Sequence, residues 1–192
     1  MPKVGMQPIR KRQLIEATIA SIHAHGLADT TVVTIGRLAG LSPGIIHHYF
    51  GGKDALLAAT MRALLVELRG HVVAALEVAA GPRARIEAII DASFTDRQFQ
   101  PQVIVTWLAF WGQAPHDETL MRLQRVYARR LQSNLRHELR LLVGDGRAAI
   151  VTQGLAAMID GLWLSFALGQ SVQGADVARG LARDYLHRQL EN

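Results

Sequence analysis

The strongest constraint on this chain is the run from Thr30 to Leu57, TTVVTIGRLAGLSPGIIHHYFGGKDALL, in which small residues cut out two short helix-length segments. Thr31 is placed to cap a helix over Thr31–Ala39. Gly40 closes it and permits a sharp turn. Ser42 is placed to cap a second helix, Pro43–Phe50, with Pro43 at a first helical position where a missing N–H costs nothing. Gly51-Gly52 then breaks the chain before Lys53 opens a long helix. Ile35, Leu38 and Ala39 are spaced to pack on Ile45, Ile46 and Phe50. Two short helices joined by such a tight turn form a helix-turn-helix pattern.

The rest of the chain extends the same fold class. No segment shows the period-2 alternation of a strand, whereas apolar residues recur at helical spacing almost throughout. A first helix is expected over Ile9–His25, with Leu14, Ile15, Thr18, Ile19 and Ile22 inward and Gly26 just past its end. Beyond the motif, helices are expected over Lys53–Ala80, Arg83–Gln98, 101–114, 117–143, 147–168 and 176–190. The breaks are Gly81-Pro82, Pro101, Pro115 with Asp117 as cap, Gly144-Asp145-Gly146, and Gly169 to Gly174. The sequence therefore predicts an all-α protein of about nine helices. There is no internal repeat and no cysteine, which excludes disulfides and thiolate metal sites. The basic N-terminal segment lacks the apolar core of a secretory signal. No uninterrupted apolar run has membrane-spanning length, because Asp160 interrupts the nearest candidate, Gly154–Gly169.

Charge is uneven along the chain. Residues 1–53 hold six basic groups (Lys3, Arg10, Lys11, Arg12, Arg37, Lys53) against two acidic ones, and the other 139 residues are nearly balanced, at fifteen to fourteen. A basic end on a balanced body fits a polyanionic partner or a solubilising tail.

The Thr30–Leu57 run resembles the DNA-binding signature of TetR-family transcriptional repressors. It has a Thr-capped helix, an Ala-Gly-apolar-Ser turn, a short helix ending in Phe, and Lys-Asp opening a long helix. The resemblance implies a DNA-binding domain over 8–52, running into the first turns of the next helix, and a helical effector-binding and dimerisation domain over 53–192. In this motif the second helix enters the major groove. Transferred residue by residue, the pattern puts Ser42 and Lys53 on phosphates, and Pro43, Gly44, His47, His48 and Tyr49 at or near the groove, with Thr31 and Thr34 on the preceding helix. The alternative is that His48 and Tyr49 are partly buried packing residues. Arg10, Lys11 and Arg12 suit either a flanking phosphate or minor groove, or a solvated helix start. His47 stands where many members have Tyr. Gly36 stands where most have Ala, and Gly in a helix interior costs about 0.5–1 kcal/mol.

The body carries its own signals. The helix at 147–168 is apolar nearly all round, which marks it for burial, and Gly154 and Gly161 would let another helix approach closely. Within it, Asp160 in LAAMIDGLWLSF is costly to bury without a cation or hydrogen-bond donors; Asp91 in AIIDASF raises the same question. Trp107, Phe110 and Trp111 share one helix, and Trp163 follows Asp160 by three. These residues read either as core, with Asp160 paired to Arg or His across a dimer, or as an aromatic cage with a carboxylate for a quaternary ammonium ion.

The segments MPKVGMQPIRKRQLIEAT, GIIHHYFGGKDALL, WLAFW, RRLQSNL and AAMIDGLWL resemble the BetI-type, choline-responsive repressors of glycine betaine synthesis. That resemblance implies a cytoplasmic homodimer joined through its last two helices, a palindromic operator, choline as effector, and no cofactor. Trp107, Phe110, Trp111, Asp160, Trp163 and Asp91 are then the candidate ligand residues. A TetR-type sensor of another cationic or apolar molecule, such as a drug, is the alternative. An enzyme is not expected. His23/His25 and His47/His48 lack the i,i+4 spacing of a zinc helix, and there is no Gly-rich phosphate loop or nucleophile elbow.

Overall fold

The computed structural model describes residues 6–170 and 174–191, and among these it contains helices and turns but no strand. Lys3 and part of the loop after Gly169 lie outside the described residues. Eight α-helices follow in order: α1 (Met6–Asp29), α2 (Val32–Ala39), α3 (Gly44–Phe50), α4 (Lys53–Val78), α5 (Pro82–Ser93), α6 (Pro101–Gln113), α7 (Glu118–Ala167) and α8 (Ala175–Glu191), with a 3₁₀ turn at Ala114–His116. Two glycines interrupt helices from within. Gly26, at φ 76°, breaks α1 before its last residues. Gly144, also at φ 76°, divides α7, where Cβ-free backbone is needed. Only Gly144 of the expected Gly-Asp-Gly turn leaves helical geometry.

The chain forms two compact units that do not follow the 8–52 and 53–192 division. The first holds residues up to Leu65 together with Pro101–Leu123, and the second holds Val66–Gln100 and Gln124 onward. The cause is that α6 packs against α1, which draws residues 101–123 into the first unit.

In the first unit, the helix-turn-helix closes on a small core of Leu14, Ala17, Ile35, Ile46 and Leu56, flanked by Ile15, Ala39, Ile45, Tyr49 and Phe50. Leu38 is not part of it and is 47% exposed. A two-turn helix has room for one buried stripe, and Ile35 and Gly36 occupy it. Thr31 caps α2 as expected, in a reciprocal box with Thr34. Ser42 does not cap α3. Pro43 already has helical angles, and no side chain caps this end. Instead the first turn is tightened by i→i+3 bonds, Ile45 N–H to the Ser42 carbonyl and Ile46 N–H to that of Pro43, which satisfies those groups without a hydroxyl. A Cβ on Gly36 would stand 2.9 Å from the Leu41 carbonyl oxygen, so glycine fits where the turn folds back on α2.

In the second unit, α5 ends at Ser93, short of the expected Gln98. Phe94 and Phe99 fold the following turn inward, with ring centroids 5.6 Å apart. Helix α7 doubles back at Gly144, so that Tyr127 in its first half meets Asp160 in its second. Val151, Leu155, Ile159, Leu162 and Trp163 of the second half are buried. By length and composition α7 is apolar enough to cross a membrane. Asp160 interrupts the apolar run without lowering the mean hydropathy of this segment below that of a spanning helix. Gly154 receives α8 closely, since a Cβ there would overlap the Tyr185 hydroxyl; nothing approaches Gly161. Arg85 ties α5 to α4 and α7 by donating to the Leu76 carbonyl (3.0 Å) and to buried Glu138 (2.6 Å).

Candidate functional site

Two groups of residues carry functional chemistry. The first is the outer surface of α2 and α3. Ser42, Pro43, Gly44, His47 and His48 are all exposed there, while Ile46 of the same short helix is buried in the core. Tyr49 is different: it is half-buried and packs on the core, with its ring 4.9 Å from that of His48. Thr31 and Thr34 spend their hydroxyls on the α2 cap, and Thr34 also bonds Ser21 of α1. Arg37, which the motif comparison passes over, is exposed on α2 and adds a cation to this surface. Lys53 reaches the Leu27 carbonyl at a long 3.5 Å, a weak bond that leaves its ammonium easily redirected. Lys11 lies over the Phe50 ring at 5.9 Å, near the cation–π limit, so part of the basic α1 start is anchored to the end of α3. The arrangement is a rigid, small-residue helix start flanked by cations, suited to a phosphate backbone.

The second group surrounds Asp160. Its carboxylate accepts a 2.9 Å hydrogen bond from the Tyr127 hydroxyl. Burial pushes the Asp160 pKa up, and the Tyr127 bond offsets part of that. Tyr127 is itself pushed well above the usual phenol range, by burial first and then by the Asp160 charge, so it remains a neutral donor. Among the described residues no Lys, Arg or His forms an ion pair with Asp160. Its partner is thus a hydroxyl 33 positions away, which the sequence reading missed. The signal present was only the Gly144 break, which implies that the two halves of α7 lie side by side.

The remaining candidates separate. Asp91 is paired with Arg183 of α8. Trp163 is buried, and its indole N–H donates to the Ser93 carbonyl at 3.0 Å. Both belong with Asp160 to the second unit. Trp107, Phe110 and Trp111 belong to the first, where Trp107 meets Phe110 edge-on at 6.0 Å and Trp111 at 6.3 Å. Trp107 and Phe110 are almost wholly buried.

One further surface stands out in the second unit. Ile150, Ala157, Gly161 and Leu164 recur at helical spacing along the exposed side of α7, with Leu168 exposed just past its end, and Val177, Gly180 and Leu181 do so on α8. Ile150 is 66% exposed and Leu168 59%. Large apolar residues aligned in this way on two helices mark a surface that is covered in use.

Comparison with known proteins bears on both groups. A family model described as BetI-type transcriptional repressor, C-terminal, matches residues 82–191, and one for bacterial regulatory proteins of the tetR family matches residues 14–60. The chain is 50% identical over 192 residues to the HTH-type transcriptional regulator BetI 1 of Chromohalobacter salexigens, covering 99% of this chain and 95% of that one. It is 47% identical to BetI of Brucella suis, covering 99% and 96%. Among solved structures, a transcriptional regulator from Pseudomonas aeruginosa PAO1 superposes with a TM-score of 0.83 at 30% identity, covering 96% of this chain and 92% of that one. A regulator from Saccharomonospora viridis, solved in complex with choline, superposes with a TM-score of 0.80 at 20% identity, covering 94% and 96%.

Proposed function

The chain belongs to the TetR family of bacterial regulators, with a BetI-type repressor C-terminal region, and on that premise we propose that it is a cytoplasmic repressor of choline-to-glycine-betaine synthesis, binding a palindromic operator as a homodimer and responding to choline. The observation that carries the choline reading is the pairing of half-buried Asp160 with buried Tyr127. A carboxylate partly withdrawn from water with a phenol as its hydrogen-bond donor is electrostatically disfavoured. A quaternary ammonium ion offsets that cost without needing acceptors of its own. Trp163 lies three residues on along the same helix, and aromatic surface suits such cations. The Saccharomonospora viridis regulator that shares this fold was solved in complex with choline, which supports the same ligand class.

Choline changes operator affinity only to the extent that it binds one conformation better than the other. Isothermal titration of the purified dimer with choline, followed by operator release in a mobility-shift assay, tests the proposal. Absence of heat at millimolar choline overturns it.

Two results are expected at the other surfaces. On the DNA side, Ser42, Pro43, Gly44, His47, His48 and Lys53 serve as the contact surface, with Tyr49, Thr31 and Thr34 holding it in shape. Lys53→Ala weakens binding to operator and unrelated DNA alike and reduces the salt slope by about one; a selective loss of operator preference would assign Lys53 to base reading. At the dimer surface, Ile150→Glu with Leu164→Glu puts four carboxylates into each symmetric interface. The protein becomes monomeric by light scattering, and operator affinity falls by about 100-fold as the two half-sites decouple. A dimer that survives both changes would place the interface elsewhere.

A further inference from the structure

We infer that Gln124 is the residue that reads the hydroxyl end of the effector, and that the site around Asp160 admits an amino alcohol while rejecting a zwitterion that carries a carboxylate. The inference rests on the choline reading above and adds to it a basis for specificity.

The starting observation is an orphan. The Oε1 atom of Gln124 is shielded from solvent and has no hydrogen-bond partner. An unsatisfied buried acceptor is disfavoured by more than a made hydrogen bond gains, so native proteins keep one chiefly where something else fills it. Gln124 is not remote from the proposed site. It lies three residues before Tyr127 on α7, on the same helix face, and Tyr127 is the residue that holds Asp160. The axial offset is about 4.5 Å, the reach of a two-carbon amino alcohol. Because α7 doubles back at Gly144, the Tyr127–Asp160 pairing puts Gln124 at the level of Trp163, further from the hairpin tip. Thr152 also has an unpaired buried hydroxyl oxygen, but it is eight residues from Asp160, about 12 Å along the helix, beyond the span of so small a ligand.

The chemistry of the three groups is one-sided. Asp160 is a carboxylate. Tyr127 has committed its proton to Asp160, so it offers a ligand no donor. The free atom of Gln124 is a carbonyl oxygen, an acceptor only. A matching ligand brings a positive charge for Asp160 and an O–H for Gln124. A compound with a carboxylate in place of the hydroxyl sets acceptor against acceptor and negative charge near Asp160. The site thereby distinguishes an alcohol from the acid made by oxidising it, through its polar atoms rather than through its size.

The test compares four ligands by isothermal titration on the full-length dimer: choline, choline methyl ether, tetramethylammonium and glycine betaine. Choline is expected to bind roughly 3- to 10-fold more tightly than its methyl ether or tetramethylammonium, the effect of one hydrogen bond, and glycine betaine more weakly than either. Gln124→Met removes the acceptor and keeps the volume. In that variant choline falls to the level of tetramethylammonium, whose affinity is unchanged. Equal binding of choline and its methyl ether by the unaltered protein overturns the inference and requires no variant to fold. So does a variant that weakens both cations equally. If none of the cations binds the unaltered protein, the choline reading itself fails, a result distinct from either of these.

Discussion

Asp160→Asn lowers choline affinity by roughly 30- to 150-fold, about 2–3 kcal/mol, while leaving operator affinity and the fold in place. The size follows from removing one partially buried unit charge opposite a cation at an intermediate effective dielectric. The selectivity follows from geometry. Asn still offers an oxygen to the Tyr127 hydroxyl, so the bond that joins the two halves of α7 survives. Without ligand, the variant melts at the same temperature as the parent or higher, because the substitution deletes a carboxylate that burial disfavours. Calorimetry and thermal melts on the same samples check both statements. A variant that loses choline binding together with several degrees of stability would make Asp160 a structural residue.

The same carboxylate fixes the direction of a pH effect. Its pKa in the folded protein is raised by burial above the ordinary value of 3.8, so folding favours the protonated form. The stability this group contributes is fully present below the unfolded value and is lost as pH rises through the folded one. Choline needs the ionised form. Its stabilising shift in melting temperature is therefore present above the raised pKa and fades as pH falls through it, and in Asp160→Asn the shift is small and flat with pH. Tyr127 stays protonated across this range, since its own pKa moves further up.

Ile46→Ala has the larger effect on stability. Ile46 is fully buried on α3 and meets Leu14, Ala17, Ile35 and Leu56 in a core with few other members. Truncation there costs about 2–5 kcal/mol, against a total for a domain of about 5–15 kcal/mol. Urea melts of the variant show a lower midpoint, and operator binding is lost before effector binding, because Asp160 and Tyr127 belong to the other compact unit. A change of less than about 1 kcal/mol would mean that the core refills from Ile45 or Leu41.

Much of this molecule was legible in the sequence wherever the information is local. The Thr31 cap, the Gly40 turn, the break at Gly51-Gly52 and the return at Gly144 each depend on one or two residues and their backbone angles, and each is where it was expected. Asp160 stood out because a carboxylate amid apolar residues is conspicuous. What was not legible depends on residues brought together from afar. Tyr127 is ordinary in RVYARR until the hairpin sets it against Asp160. That the tryptophans of α6 belong to the first unit, because α6 packs on α1, could not be read from their local sequence. Leu38 has the spacing of a core residue, and only the turn geometry shows that Ile35 and Gly36 take the inner side. Ser42 has the chemistry of a cap, but a proline already in helical geometry tightens the turn without it.

The contact at Gly36 has a consequence for how operator preference can change. The approach of the turn to α2 is limited by backbone meeting backbone, with 2.9 Å left where a methyl group would go. The tilt of α3 is therefore gauged by a missing atom. A single methyl added there would shift the turn by tenths of an ångström, and every side chain that α3 presents would swing with it. A new half-site geometry is thus one substitution away, at a buried position, with every exposed side chain of α3 unaltered in kind.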